Sequence, residues 1–339
     1  MRKEPSILPT TILNIEGLKT YFFTEAGIVQ AVDGISFDLR KGESLGLVGE
    51  SGSGKTVTAL SVLRIVPRPG RIIEGKIEFN GVDILKKSEE EMRKLRGGDI
   101  AIIFQDPSAS LNPVYTVETQ LSDVIRAHQN LAPEEVRGKA IELLDLVGLP
   151  DPETRMEEYP HEFSGGMKQR VAIARALALE PKLLFADEPT TNLDVTIQAQ
   201  VLRLLNELKE KLEMSLVMIT HDMGIIAELT SRTVVLYAGR VCEIARTPDL
   251  FEEPRHPYTA SLLAAVPRLD MKKTLRVIPG NIPNLIEPPT GCRFNPRCEH
   301  ADEACKGQAA VLEKVGPEHF VACYRWRDIK LKGERSANE

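Results

Sequence analysis

The sequence predicts an α/β fold: a mostly parallel sheet with helices on both faces, an antiparallel β layer ahead of it, a helical insertion, and a small cysteine-rich C-terminal appendage. Three observations carry this. Short, mostly apolar runs at residues 45–48, 183–186, 216–219 and 233–236 read as buried strands, with helical patterns at 168–178 and 196–212 between them. Buried strands alternating with helices imply a parallel sheet covered on both faces. Residues 45–48 also lead into a glycine-rich loop, 49–54, and then into helical spacing over 56–66, the order strand, loop, helix. Ahead of them, residues 12–39 alternate apolar and polar side chains and read as two strands joined near Gly27.

The remaining elements follow in order. Residues 76–84 read as a hairpin, and the Asn80-Gly81 pair suits a type I′ turn, whose central residues need positive φ. Residues 107–159 read as a helical insertion, with helices at 117–128 and 133–147 and breaks at Pro113, Pro150 and Pro152. Beyond about Arg246 proline becomes dense, from Pro248 and Pro254 through Pro267, Pro279 and Pro283 to Pro296, and the chain reads as a turn-rich appendage.

Bulk properties narrow the function. A chain of 339 residues suits one large α/β domain plus an appendage. Its formal net charge of −6 argues against a nucleic-acid partner held through phosphates. No apolar run reaches the roughly 18–20 residues that span a bilayer. Residues 1–11 carry no apolar signal core, so secretion is not expected. If the protein works at a membrane, other chains must supply the spanning helices.

Gly49-Glu50-Ser51-Gly52-Ser53-Gly54-Lys55-Thr56 matches the P-loop pattern. Its glycines let backbone N–H groups turn inward onto phosphate oxygens, Lys55 adds positive charge near the β- and γ-phosphates, and the Thr56 hydroxyl can ligate Mg²⁺. Downstream, an apolar strand ends in Asp187-Glu188. Such a strand delivers its C-terminal end beside a phosphate loop. Asp187 is placed to hold Mg²⁺ through water, and Glu188 to polarise the attacking water. Standing alone, the pair reads equally well as a surface acidic turn.

Ser164-Gly165-Gly166-Met167-Lys168-Gln169-Arg170 resembles the signature motif of ATP-binding cassette ATPases, with Phe163 and Met167 where that motif usually has Leu and Gln. Ser164, Gly165 and Gly166 open a helix, which makes an anion site but also an ordinary N-cap. The resemblance implies that this tip grips the γ-phosphate of ATP held by a partner subunit. It also implies roles for residues met in order. Gln105 resembles the Q-loop glutamine that contacts Mg²⁺ or water. The run Thr191-Asn192-Leu193-Asp194 resembles the D-loop. His221 resembles the switch histidine, although in isolation it reads as a capping or core residue. Tyr21 matches the aromatic that stacks on adenine, with Phe22 and Phe23 as competitors. These motifs span about two-thirds of the chain.

His256-Pro257-Tyr258-Thr259, residues 262–267 and Ile278-Pro279-Gly280 resemble the C-terminal extension of cassettes that serve dipeptide and oligopeptide importers; cassettes for oligosaccharide and nickel importers look similar. Cys292, Cys298, Cys305 and Cys323 follow, spaced C-x5-C-x6-C-x17-C. Four thiolates suit either an iron–sulfur cluster or tetrahedral zinc, and spacing alone leaves the two at parity. The resemblance favours a [4Fe–4S] cluster over Zn²⁺, as a structural staple. Cys242 reads as a buried, inert residue.

The resemblance as a whole implies a cassette domain over 1–245, its helical subdomain at about 106–163, and an importer-type extension over 246–339. It implies an ATPase of a dipeptide or oligopeptide importer, peripheral to the cytoplasmic face of the membrane. Its partners would be two transmembrane permease subunits, a second cassette and, indirectly, an extracytoplasmic substrate-binding protein. The rival is a soluble cassette protein, but such proteins commonly carry two tandem cassettes or a long coiled-coil insertion, and neither is present here.

Overall fold

A computed structural model describes residues 10–266, 278–331 and 333. The N-terminal nine residues and Pro267, used above, lie outside the described residues. The chain divides into two compact units, residues 1–86 with 220–339, and residues 87–219.

The first unit opens with β1 (Thr11–Thr24), β2 (Gly27–Arg40), β3 (Ser44–Val48), helix α1 (Lys55–Val62), β4 (Gly70–Phe79) and β5 (Val82–Asp83). Strands β2-β1-β4-β5 form an antiparallel sheet in that order. Alternation buries Leu13, Ile15 and Leu18 from β1 against Val32, Ile35 and Phe37 from β2. The period-2 pattern slips between Ile15 and Leu18, where the register shifts and Gly17 takes φ +57°. Asn80 (φ 49°) and Gly81 (φ 76°) are both left-handed, as a type I′ turn requires.

The second unit comprises α2 (Glu89–Leu95), β6 (Ile100–Ile103), α3 (Pro107–Ser110), α4 (Val117–His128), α5 (Pro133–Leu146), α6 (Pro152–Arg155), α7 (Gly165–Leu177), β7 (Leu183–Asp187), α8 (Val195–Lys211) and β8 (Ser215–Thr220). Strands β6, β7 and β8 pair in parallel. Every residue of β7 and β8 is buried, which explains their unbroken apolar runs. Helix α4 starts where the Thr116 hydroxyl accepts a hydrogen bond from the Thr119 N–H. Its apolar face supplies Val117, Leu121 and Ile125 to the core.

The chain then returns to the first unit with α9 (Met223–Leu229), β9 (Arg232–Tyr237), β10 (Arg240–Arg246), α10 (Thr247–Glu252), α11 (Pro257–Ala264), α12 (Glu303–Gly307), β11 (Glu313–Gly316) and β12 (His319–Val321). Within this unit β3 pairs in parallel with β9, while β9, β10, β12 and β11 continue antiparallel. The late strands β11 and β12 thus extend the sheet at β10. They are short and carry charged residues, so no periodicity announces them. No helix among the described residues is long and apolar enough to cross a membrane.

Candidate functional site

The phosphate loop joins β3 to α1. Gly49 (φ +154°) lies so close to β9 that a Cβ there would stand 2.1 Å from the Leu236 carbonyl oxygen. At Gly54 (φ +101°) a Cβ would meet the Ala31 carbonyl oxygen at 2.5 Å. Both positions exclude side chains, so the loop presents backbone on its inner side. The Lys55 ammonium donates to the carbonyls of Gly49 (2.7 Å) and Glu50 (3.0 Å), folding the loop over itself. Among the described residues the buried Ser53 hydroxyl has no hydrogen-bond partner and the first turn of α1 has no side-chain cap. An unsatisfied buried donor, an uncapped helix start and a lysine at one loop are groups that a phosphate satisfies.

In the second unit, β7 carries buried Asp187 at its end. Glu188 follows with φ 44°, a conformation uncommon for a non-glycine residue, and its N–H donates to the Ile219 carbonyl at 2.8 Å. Its carboxylate accepts from Gln105 Nε2 at 2.8 Å and from the Thr191 hydroxyl at 3.1 Å. Gln105, Glu188 and Thr191, spread over 87 positions of sequence, therefore form one cluster. The sequence places Thr191 in the run resembling the D-loop but gives no sign that its hydroxyl meets Glu188.

Ser164 caps α7 by accepting from the Met167 N–H at 3.3 Å, and it is exposed with Gly165. A Cβ on Gly166 would stand 2.8 Å from Ile197 Cγ2, so a side chain there would displace Ile197 at the start of α8. Asp194 caps α8 through the Ile197 N–H at 3.0 Å. His221 is exposed, between Thr220 and Asp222; the Thr220 hydroxyl accepts from the Asp222 N–H, and Asp222 caps α9.

Tyr21 lies on β1 and donates its phenolic hydrogen to Asp33 at 2.7 Å. Burial and that bond push the phenol up to about 12. Asp33 also accepts from Arg240 (2.7 Å) and Arg293 (2.6 Å). Burial pulls the Asp33 carboxyl upward, but these three donors hold it below the usual carboxylate range. Sequence reasoning missed Asp33, Arg240 and Arg293. No local signal marks the cluster, because Arg240 and Arg293 lie 207 and 260 positions from Asp33.

The metal reading of the C-terminal cysteines is overturned. Cys292, Cys298, Cys305 and Cys323 line one small pocket with Pro257 and Phe294, and none is disulfide-bonded. Yet among the described residues no group of three or more His, Cys, Asp or Glu is disposed to hold a metal ion. Neither a [4Fe–4S] cluster nor Zn²⁺ is supported. Burial pushes the Cys292 thiol up to about 11 and the Cys323 thiol up to about 12. Spacing brought the thiols to one region without converging their donors. Cys242 is buried on β10, and burial raises its thiol well above the usual range, in keeping with an inert residue.

The ABC transporter family profile matches residues 32–191, and the profile of the oligopeptide/dipeptide transporter C-terminal region matches residues 242–305. The oligopeptide transport ATP-binding protein OppD of Escherichia coli is 49% identical over 93% of this chain and 93% of its own length. The dipeptide transport ATP-binding protein DppD of the same organism is 46% identical over 92% of this chain and 96% of its own. A probable peptide ABC transporter ATP-binding protein of Sinorhizobium fredii is 46% identical over 97% and 99%. Among solved structures, a dimeric ATP-binding cassette in a post-hydrolysis state with ADP and phosphate superposes with TM-score 0.62 at 26% identity, over 69% of this chain and 98% of that one. The phosphate loop, the carboxylate pair and these alignments agree: the chain belongs to the ABC transporter family of ATPases, among the ATP-binding proteins of the oligopeptide/dipeptide type.

Proposed function

We propose that this chain hydrolyses ATP to drive uptake of dipeptides or oligopeptides through a membrane importer. The observation that carries this reading is alignment with peptide-transport ATP-binding proteins over 92–97% of the chain, C-terminal extension included. The chain is read as a cassette over 1–245, with a helical subdomain at about 106–163, and an extension over 246–339.

In this reading the amides of residues 49–56 and Lys55 hold the triphosphate, and Tyr21 stacks on adenine, oriented by Asp33. Glu188 orients water towards the γ-phosphorus. Its bonds to Gln105 and Thr191 fix the carboxylate before substrate arrives. His221 bonds the γ-phosphate. Thr56, Gln105 and Asp187 offer oxygen donors that fit Mg²⁺, an ion that keeps waters and substrate phosphates in its shell. Mg²⁺, when bound, neutralises charge across the phosphates.

Ser164, Gly165 and Gly166 close over ATP held by a second cassette, and Asp194 lies at that junction. The dimeric state of the solved cassette supports this arrangement. Val114 (70% exposed) and Tyr115 (51%) give the segment after Gln105 an apolar surface suited to one of two permease subunits. The chain then sits at the cytoplasmic face of the membrane, served by an external substrate-binding protein.

The test is the ATPase rate of the assembly with its permease and cassette partners, measured with added cargo and the binding protein. A dipeptide or oligopeptide should stimulate it. Stimulation by an oligosaccharide or nickel instead would assign a different cargo to the same chemistry.

A further inference from the structure

The C-terminal extension reaches the phosphate loop, and the contact falls on Glu50. The Glu50 backbone N–H donates to the Tyr258 hydroxyl at 2.8 Å. The Glu50 carboxylate accepts both terminal nitrogens of Arg297, at 2.7 and 3.1 Å. All three residues belong to the same compact unit.

Neither partner is a mobile surface group. Tyr258 is fully buried on α11, packed against Tyr237 (4.6 Å between ring centroids) and Phe294 (5.3 Å). Arg297 is buried too, donating to the carbonyl of Pro279 (2.8 Å) and to the Tyr237 hydroxyl (3.2 Å). Burial opposes the charge on Arg297, but the bonds to Glu50 and Tyr237 hold it more firmly protonated than a free arginine. Helix α11 is itself anchored: buried Glu243 on β10 accepts from the N–H groups of Arg255 (2.6 Å) and His256 (3.0 Å), just ahead of it.

We propose that Tyr258 and Arg297 are positioning residues for ATP, acting through Glu50 to fix the entry to the phosphate loop. The inference rests on the ATP-binding reading above and assigns to the extension a part in it. Lys55 here holds the carbonyls of Gly49 and Glu50. When Lys55 turns to the β- and γ-phosphates it gives those up. The bonds from Tyr258 and Arg297 do not depend on Lys55, so they keep residues 49–50 in place as the lysine moves. A preformed loop binds phosphate without the entropy cost of ordering it.

The experiment uses the full chain in its assembly and measures affinity for ATP–Mg²⁺, KM and kcat. Tyr258→Phe deletes one hydroxyl and keeps the ring packing. Arg297→Lys keeps the charge and loses the two-pronged fork. Each should weaken ATP affinity and raise KM by about five- to tenfold, the scale of one lost hydrogen bond. Expected kcat stays within about twofold, because the bonds are made before and during the reaction alike. A thermal melt of each variant identifies one that has merely unfolded, and Tyr258→Phe is the milder of the two. Wild-type affinity separates the two claims: no ATP binding by the wild-type assembly removes the ATP-binding reading itself. Wild-type binding with unchanged KM in folded Tyr258→Phe and Arg297→Lys overturns this inference and leaves the other intact.

Discussion

Gln105 Nε2 stands 2.8 Å from Glu188 Oε2, so the side chain read as a Q-loop glutamine and the proposed water-orienting carboxylate are hydrogen-bonded to each other. A carboxylate held on one oxygen by two donors has a fixed direction for its other oxygen. Glu188→Gln preserves shape and removes the anion. Hydrolysis by the assembly should fall by about 10²-fold or more, the usual worth of a positioned base, while ATP binding persists. Steady-state phosphate release and equilibrium ATP binding measure the two. Full hydrolysis by that variant would remove Glu188 from its role.

Ser164 is an N-cap as well as a proposed ligand of the partner's ATP. An ordinary cap loss costs about 1 kcal/mol of stability and no activity. Ser164→Ala should instead lower ATPase activity at least about tenfold, the scale of a lost transition-state donor, with ATP affinity of the isolated chain unchanged. A melt and an ATPase assay on one preparation separate the two roles. A small drop in melting temperature with full turnover would leave Ser164 as a cap only.

Tyr21 presents a ring fixed through Asp33, which Arg240 and Arg293 hold in turn. Tyr21→Ser removes the ring, and KM for ATP should rise on the order of tenfold, the usual worth of base stacking. Tyr21→Phe keeps the ring and loses only its tether, so its KM should rise less. Equal effects would mean that the tether, not the ring, matters.

The phosphate loop, the parallel strands and the long helices were legible because their signals are local: glycines at fixed offsets, unbroken apolar runs and 3.6-residue spacing. Helix α4 falls at the expected 117–128, capped by Thr116. What stayed hidden is long-range and polar. Arg297 meets Glu50 across 247 positions, and Arg293 meets Asp33 across 260. Nothing in either stretch announces the other. The cysteines failed for the opposite reason: their spacing looked informative, but spacing does not fix where donors converge.

His256 is buried beside Glu243, and its Nδ1 accepts the Tyr258 N–H at 3.0 Å. Burial lowers its pKa from 6.5 to about 4, with Glu243 opposing. Between those values the unfolded chain binds a proton that the folded one refuses, so stability falls as pH drops. The full effect is on the order of 3 kcal/mol, complete below about pH 4 and absent above about pH 6.5. Urea unfolding across pH 4–7 should show this slope, and His256→Asn should flatten it. A slope unchanged in His256→Asn would place the titration elsewhere.

The most direct measurement is peptide uptake into proteoliposomes carrying the complete importer, with ATP supplied on the side of this chain. Assemblies with the wild-type chain should accumulate a labelled dipeptide or oligopeptide only when ATP–Mg²⁺ is present, and assemblies with Glu188→Gln should not. Uptake that proceeds without ATP, or that Glu188→Gln leaves untouched, would contradict the assignment of this chain as the importer's motor.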